Sequence, residues 1–157
     1  MRSAKLLTAR AKSFLCEKGS RLQKTFIHPA DLPDWKDFFT QVVTVENNGV
    51  KTIYISGQVG VDQQQNLVGT GDFSAQVEQA FANLAIALAS ADATFADVVK
   101  LNLYVVNYQY EHAAVIGELI RRHFPAGQLP ACSLLGVQAL AREEFLIEIE
   151  ATAVSAS

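Results

Sequence analysis

Two β-rich runs, Gln41 to Glu46 and Val50 to Ser56, flank the triplet Asn47-Asn48-Gly49. An Asn-Gly step between such runs marks a hairpin, which commits the body of the chain to a sheet from its outset. The spacing then changes. From Phe73 the apolar positions are Phe73, Val77, Ala80, Phe81, Leu84, Ala85 and Leu88, the three-and-four rhythm of one helix face, with Asp72 placed to cap it. Alternation returns in Val98 to Val106, where Val99, Leu101, Leu103 and Val105 share one side and Lys100, Asn102 and Tyr104 the other. Ala113, Ile116, Ile120 and Phe124 predict a second helix ending at Pro125 and Gly127, and Ala131 to Val137 and Phe145 to Val154 read as two closing strands. The order β-β-α-β-α-β-β implies an α+β domain, one mixed sheet carrying two helices on one face.

Residues two apart in a strand share a face, so Ile53 with Ile55, Leu101 with Leu103, and Ile147 with Ile149 supply the helix-facing side. Their neighbours make the opposite surface: Thr52, Tyr54, Ser56 and Gln58; Lys100, Asn102 and Tyr104; Glu148, Glu150 and Thr152. A mixed polar face of this kind is either solvated or covered by another subunit through hydrogen-bonded groups.

Charge divides the 157 residues unevenly. Residues 1–24 hold seven basic side chains against Glu17, a charge of +6, and the total of −3 leaves −9 for the body, taken as a single domain over 25–157. The basic segment, with Leu6, Leu7, Phe14 and Leu15, suits either an amphipathic mitochondrial presequence or a disordered tail without a role in the fold. The acidic body gives nucleic acid and anionic membranes no general attraction. Its apolar stretches fall well short of the roughly 20 residues that span a bilayer, so a soluble protein is expected. Cys16 and Cys132 show no CxxC spacing and no histidine pair beside them, which argues against a zinc site or disulfide framework and for a reducing, cytoplasmic location.

Chemistry is sparse. Glu148 and Glu150 leave the same face of the last strand about 6 to 7 Å apart along it, close enough for each to raise the other's proton affinity. That suits a general acid or base, and equally a charged solvated strand. Cys132 would need a base or positive field to act as a nucleophile, and otherwise reads as a small buried residue. His112 and His123 lie eleven residues apart, which makes no ligand face, and no metal is expected. Ser56-Gly57-Gln58-Val59-Gly60-Val61 lacks both GxGxxG and a Walker lysine; Gly57 reads instead as a bulge or close backbone approach. Arg121 and Arg122 end the second helix, where cations oppose its dipole.

Taken together, Ile53-Tyr54-Ile55-Ser56-Gly57-Gln58, Gly71-Asp72-Phe73 with its helix, Val98-Val99-Lys100-Leu101 and Ile147-Glu148-Ile149-Glu150-Ala151 resemble the YjgF/RidA family from about Phe39 to Val154. The resemblance implies a chorismate-mutase-like fold assembled as a homotrimer, with ligand clefts between subunits and no cofactor. Archetypal members hydrolyse reactive imines and enamines such as 2-aminoacrylate to 2-oxo acids and ammonia. Three of their site positions fall here on Ser56, Glu148 and Cys132, the last replacing an arginine that pairs with the substrate carboxylate. Phe39 stands where the archetype has a tyrosine, and Pro130-Ala131-Cys132-Ser133 resembles the arginine-less Rid subgroups. A cysteine supplies neither the charge nor the fork of a guanidinium, so 2-aminoacrylate is not the expected substrate.

The leading expectation is a hydrolase or deaminase for a small imine or enamine. Glu148 is its catalytic residue; Ser56, Gly57, Phe39 and Cys132 are its substrate-binding residues. Either the substrate lacks a carboxylate, or Arg121, Arg122 or Arg142 supplies the cation from another direction. A non-catalytic ligand-binding trimer is the alternative, and an endoribonuclease the third; the acidic body weighs against the latter.

Overall fold

The computed structural model describes residues 22–156. Six strands form one sheet in the order β1-β2-β3-β6-β4-β5. They are β1 (Gln23–Ile27), β2 (Val42–Asn47), β3 (Val50–Val59), β4 (Val98–Val106), β5 (Ala131–Val137) and β6 (Ile147–Ala156). Helices α1 (Phe73–Ala89) and α2 (Tyr110–His123) complete the domain. Neighbouring strands are antiparallel except β4 and β5, which run parallel across the α2 connection. The β2–β3 turn is the expected one. Asn48 and Gly49 take φ values of 52° and 79°, the left-handed pair that a two-residue hairpin loop demands.

α1 begins where expected. The Asp72 carboxylate accepts from the Ala75 amide at 3.1 Å, a cap worth about 1 kcal/mol. Val77, Phe81, Leu84 and Leu88 are fully buried, in one core with Ile53, Leu101, Leu103, Ile147 and Ile149. Each large side chain removed from water this way contributes about 1.5 to 3 kcal/mol. α2 adds Ile116 and Leu119 to that core, and Phe124 is buried just beyond its end.

Three expectations need correction. β1 was not foreseen. Gln23 and Lys24 were counted with the basic leading segment, yet they pair with Glu46 and Val45 on an edge strand too exposed to alternate. Gln58 belongs to the buried, helix-facing side and not to the polar one, because the β3–β6 register slips by one residue between Ile55 and Gln58. Val99 is likewise outward and 47% exposed, since a second slip between Val98 and Lys100 turns Val98 inward in its place. Each slip is a β-bulge, one extra residue that reverses the in-out alternation beyond it. Among the described residues no helix is long and apolar enough to cross a membrane.

Candidate active site

The first bulge builds one wall of a cleft. At Ser56-Gly57 the strand turns back toward the segment that follows β1: the Ser56 amide donates to the Gln41 carbonyl at 3.0 Å and the Ser56 hydroxyl to the Thr40 carbonyl at 2.7 Å. Beneath them two buried amides interlock. Gln58 Nε2 donates to Gln41 Oε1 and to the Ser56 carbonyl, both at 3.0 Å, while Gln41 Nε2 donates to the Pro33 carbonyl at 3.0 Å. These bonds fix the stretch carrying Trp35, Phe38 and Phe39 beside the bulge. Trp35 and Phe39 stack there with ring centroids 6.4 Å apart.

The opposite wall comes from the connection between β5 and β6. Gln76, fully buried on α1, donates to the Glu144 carbonyl at 3.0 Å and accepts from the Leu146 amide at 2.9 Å, clamping that connection to the helix. It thereby presents Ala141, Arg142 and Phe145. The cleft so formed has a volume of about 390 Å³ and is lined by Trp35, Phe38, Phe39, Gly57, Val59, Ala141, Arg142, Phe145 and Glu148.

Glu148 sits on β6, opposite Val59 of β3 and Tyr104 of β4, on the face away from the helices. A Cβ on Gly57 would fall within the Glu148 carboxylate, so the missing side chain is what lets that carboxylate lie over the bulge. Burial, and then the charge of Glu150, push the Glu148 carboxyl above the ordinary carboxylate range. Glu150 accepts from Asn102 Nδ2 at 2.7 Å and from the Tyr104 hydroxyl at 2.9 Å. No described residue donates to Glu148 in the same way. The two carboxylates that looked equivalent in the sequence are thus unlike: Glu150 is held in a side-chain network, and Glu148 faces the cleft with its oxygens open to a ligand or water.

Of the other predicted site residues, Phe39 and Gly57 join Glu148 in the cleft lining. Ser56 adjoins it, with its hydroxyl proton committed to Thr40. Cys132 stands elsewhere in the protomer. Its pairing opposite Leu101 puts it on the helix-side face of edge strand β5, as a free, exposed thiol whose sulfur is desolvated enough to push its pKa upward. A thiol so shifted is a weak nucleophile. Among the three arginines, Arg122 is engaged by Glu118 at 2.9 Å and Glu78 at 3.3 Å, and only Arg142 lines the cleft. Among the described residues no three His, Cys, Asp or Glu side chains converge as metal ligands would.

Sequence reasoning missed Trp35, Phe38, Phe145 and the clamp Gln76. The signal for Gln76 was present. It falls three residues after Phe73 and four before Ala80, on the apolar stripe of α1, where an uncharged polar side chain must find buried partners.

The chain matches known proteins over most of its length. The sequence profile of the family described as Endoribonuclease L-PSP covers residues 32–155. The 2-iminobutanoate/2-iminopropanoate deaminase of Dermatophagoides farinae is 32% identical over 116 residues, which are 74% of this chain and 84% of that protein. YyfB of Yersinia pestis, from the conserved Rid protein family, is 41% identical with a TM-score of 0.64, over 83% of this chain and 97% of that one. RidA from the Antarctic bacterium Psychrobacter sp. PAMC 21119 superposes with a TM-score of 0.68 at 28% identity, over 82% and 98% of the two chains. With Ser56-Gly57-Gln58 at the bulge of β3 and Ile147-Glu148-Ile149-Glu150 on β6 beside it, this chain belongs to the Endoribonuclease L-PSP family, that of YjgF and RidA.

Proposed function

We propose that the cleft hydrolyses a small imine or enamine to a carbonyl compound and ammonia, with Glu148 moving the proton. The observation that carries this reading is the Glu148 carboxylate, raised in proton affinity, lying over a glycine bulge in an apolar cleft with no donor among the described residues committed to it. Water adds to the imine carbon as Glu148 accepts its proton. The carboxylic acid so formed passes that proton to the nitrogen, which has taken up the C=N π electrons, and a carbinolamine results. The carboxylate then takes the carbinolamine hydroxyl proton and delivers it to nitrogen as the C–N bond breaks, so that a carbonyl and ammonia leave. A carboxyl group whose proton affinity is raised by burial and by a neighbouring carboxylate is better able to serve both halves of that cycle. The name of the mite relative, a deaminase of two imino acids, supports the same reaction class.

In the same reading the working unit is a homotrimer. The uncovered sheet face carries Tyr54 and Val154, 51% and 38% exposed, beside the Glu150 network, a surface suited to a neighbouring subunit. Neighbouring subunits would complete the cleft and bring the Cys132 edge of one protomer toward the Glu148 of the next. Light scattering should report three protomers. A monomer would remove that completion.

Ammonia release from enzymically generated imines, with and without carboxylates, tests the reaction. E148Q keeps the shape of the side chain and removes its titrating proton. It should lower turnover about 10²- to 10⁴-fold without altering assembly. Undiminished turnover would take Glu148 out of the mechanism, and no acceleration of any imine by the unmodified protein would leave a ligand-binding trimer.

A further inference from the structure

We propose that Arg142 is the anion anchor of this cleft and that its ligand is a 2-imino acid bearing a bulky apolar side chain. This rests on the hydrolase reading above and names its substrate class. The argument starts from an imbalance of charge. No described carboxylate lies within ion-pair distance of Arg142, in contrast to Arg122 with its two glutamates. Its polar contacts are two long bonds, both 3.4 Å, to the carbonyl and side-chain oxygens of Gln65. Its Cζ lies 5.2 Å from the ring centroid of Trp35 and 5.5 Å from that of Phe145. The planar cation is thus held against two rings and partly withdrawn from water.

A half-buried guanidinium against an apolar wall, with two long hydrogen bonds and no described carboxylate in ion-pair distance, has unused capacity for an anion. Its fork fits a carboxylate by two parallel bonds, and the two rings beside it restrict where that fork can lie. Cys132 therefore does not leave the cleft without a cation; the charge comes instead from the β5–β6 connection. The cleft wall sets the rest of the ligand. Trp35, Phe38, Phe39 and Phe145 give this protomer's share of the cleft an apolar wall that three-carbon 2-aminoacrylate would leave largely uncovered and that a larger apolar group would cover.

Trp35 is the chain's one tryptophan, so its fluorescence reads occupancy of the cleft without turnover. Titrated into the full-length protein, 4-methyl-2-oxopentanoate, the product of such an imine, should bind at least about tenfold more tightly than its own amide. It should also bind at least about tenfold more tightly than pyruvate, which lacks the apolar chain. R142Q should lose the preference for acid over amide, and R142K, which keeps the charge without the fork, should retain part of it. Equal affinity for acid and amide, or an undiminished preference in R142Q, overturns the anchor; equal affinity for pyruvate overturns the bulky side chain. Turnover separates this from the hydrolase reading. Acid-selective binding abolished by R142Q but without ammonia release from the leucine-derived imine supports the anchor and defeats the hydrolysis, whereas ammonia release with an unaltered KM in R142Q does the reverse.

Discussion

The two faces of the sheet are cut from the same strands and meet opposite fates. On the helix side Ile53, Leu101, Leu103, Ile147 and Ile149 are fully buried, while on the other side Tyr54, Asn102, Tyr104, Glu148 and Glu150 remain partly or wholly exposed. Simple alternation explains the division except at Ser56-Gly57 and at Val99, where one extra residue inverts it. The first of these inversions is the candidate site. Any residue with a Cβ at position 57 would meet the Glu148 carboxylate, so the candidate site lies where the pattern breaks and at a residue without a side chain.

The sharpest way to break the comparison is to damage one face and leave the other. F81A empties a fully buried position on the helix side, and urea unfolding should show a loss of about 3 to 5 kcal/mol. Turnover per folded molecule should stay within a few-fold of the parent, and a collapse of activity among folded molecules would mean that the faces are coupled. G57A does the converse. Gly57 is not in the left-handed region, so alanine fits the backbone, and what must yield is the Glu148 side chain from its Cγ outward. Activity should fall about 100-fold with little change in stability, as expected when a reacting group is displaced by an ångström or so. Full activity in G57A would mean that the carboxylate works from another position.

A pH comparison is the subtlest. Because burial and Glu150 raise the folded Glu148 carboxyl above its ordinary 4.5, the acid limb of kcat/KM should lie above that value and should be absent from the residual rate of E148Q. The sign for stability runs the other way from an ion-paired carboxylate. The folded state holds a proton that the unfolded chain has already released, so stability falls as pH rises through this window. E148Q escapes that loss; thermal unfolding should show its advantage over the parent widening as pH rises past the ordinary value of 4.5 and closing in acid. An advantage independent of pH would contradict the burial of the carboxyl group.

Most of the architecture was legible because it rests on periodicity. The Asn48-Gly49 turn, the Asp72 cap and the stripe from Val77 to Leu88 each express a local rule that tertiary structure did not override. β1 escaped because Gln23–Ile27 is an edge strand with almost no buried side, leaving no alternation to read. The site was legible only in part. Glu148, Gly57 and Phe39, each singled out in the sequence, line one cleft, yet Arg142 and Trp35 lie in irregular segments, where neither a period of two nor one of three and a half marks which side chains turn inward. Their placement depends on buried amides, Gln76 for one wall and Gln41 with Gln58 for the other, whose partners are each other and backbone groups as far as 70 residues away in the chain.

The strand that carries Glu148 is the last to leave the ribosome among those described, yet it sits in the middle of the sheet, between β3 and β4. During synthesis the hairpin side and the β4–β5 side therefore wait as two halves with open edges, and the arrival of Ile147–Ala156 closes both at once. A nascent or truncated chain that stops short of this segment has neither a continuous core nor the Glu148 carboxylate of the candidate site, so completion of the cleft and completion of the sheet come at the same moment.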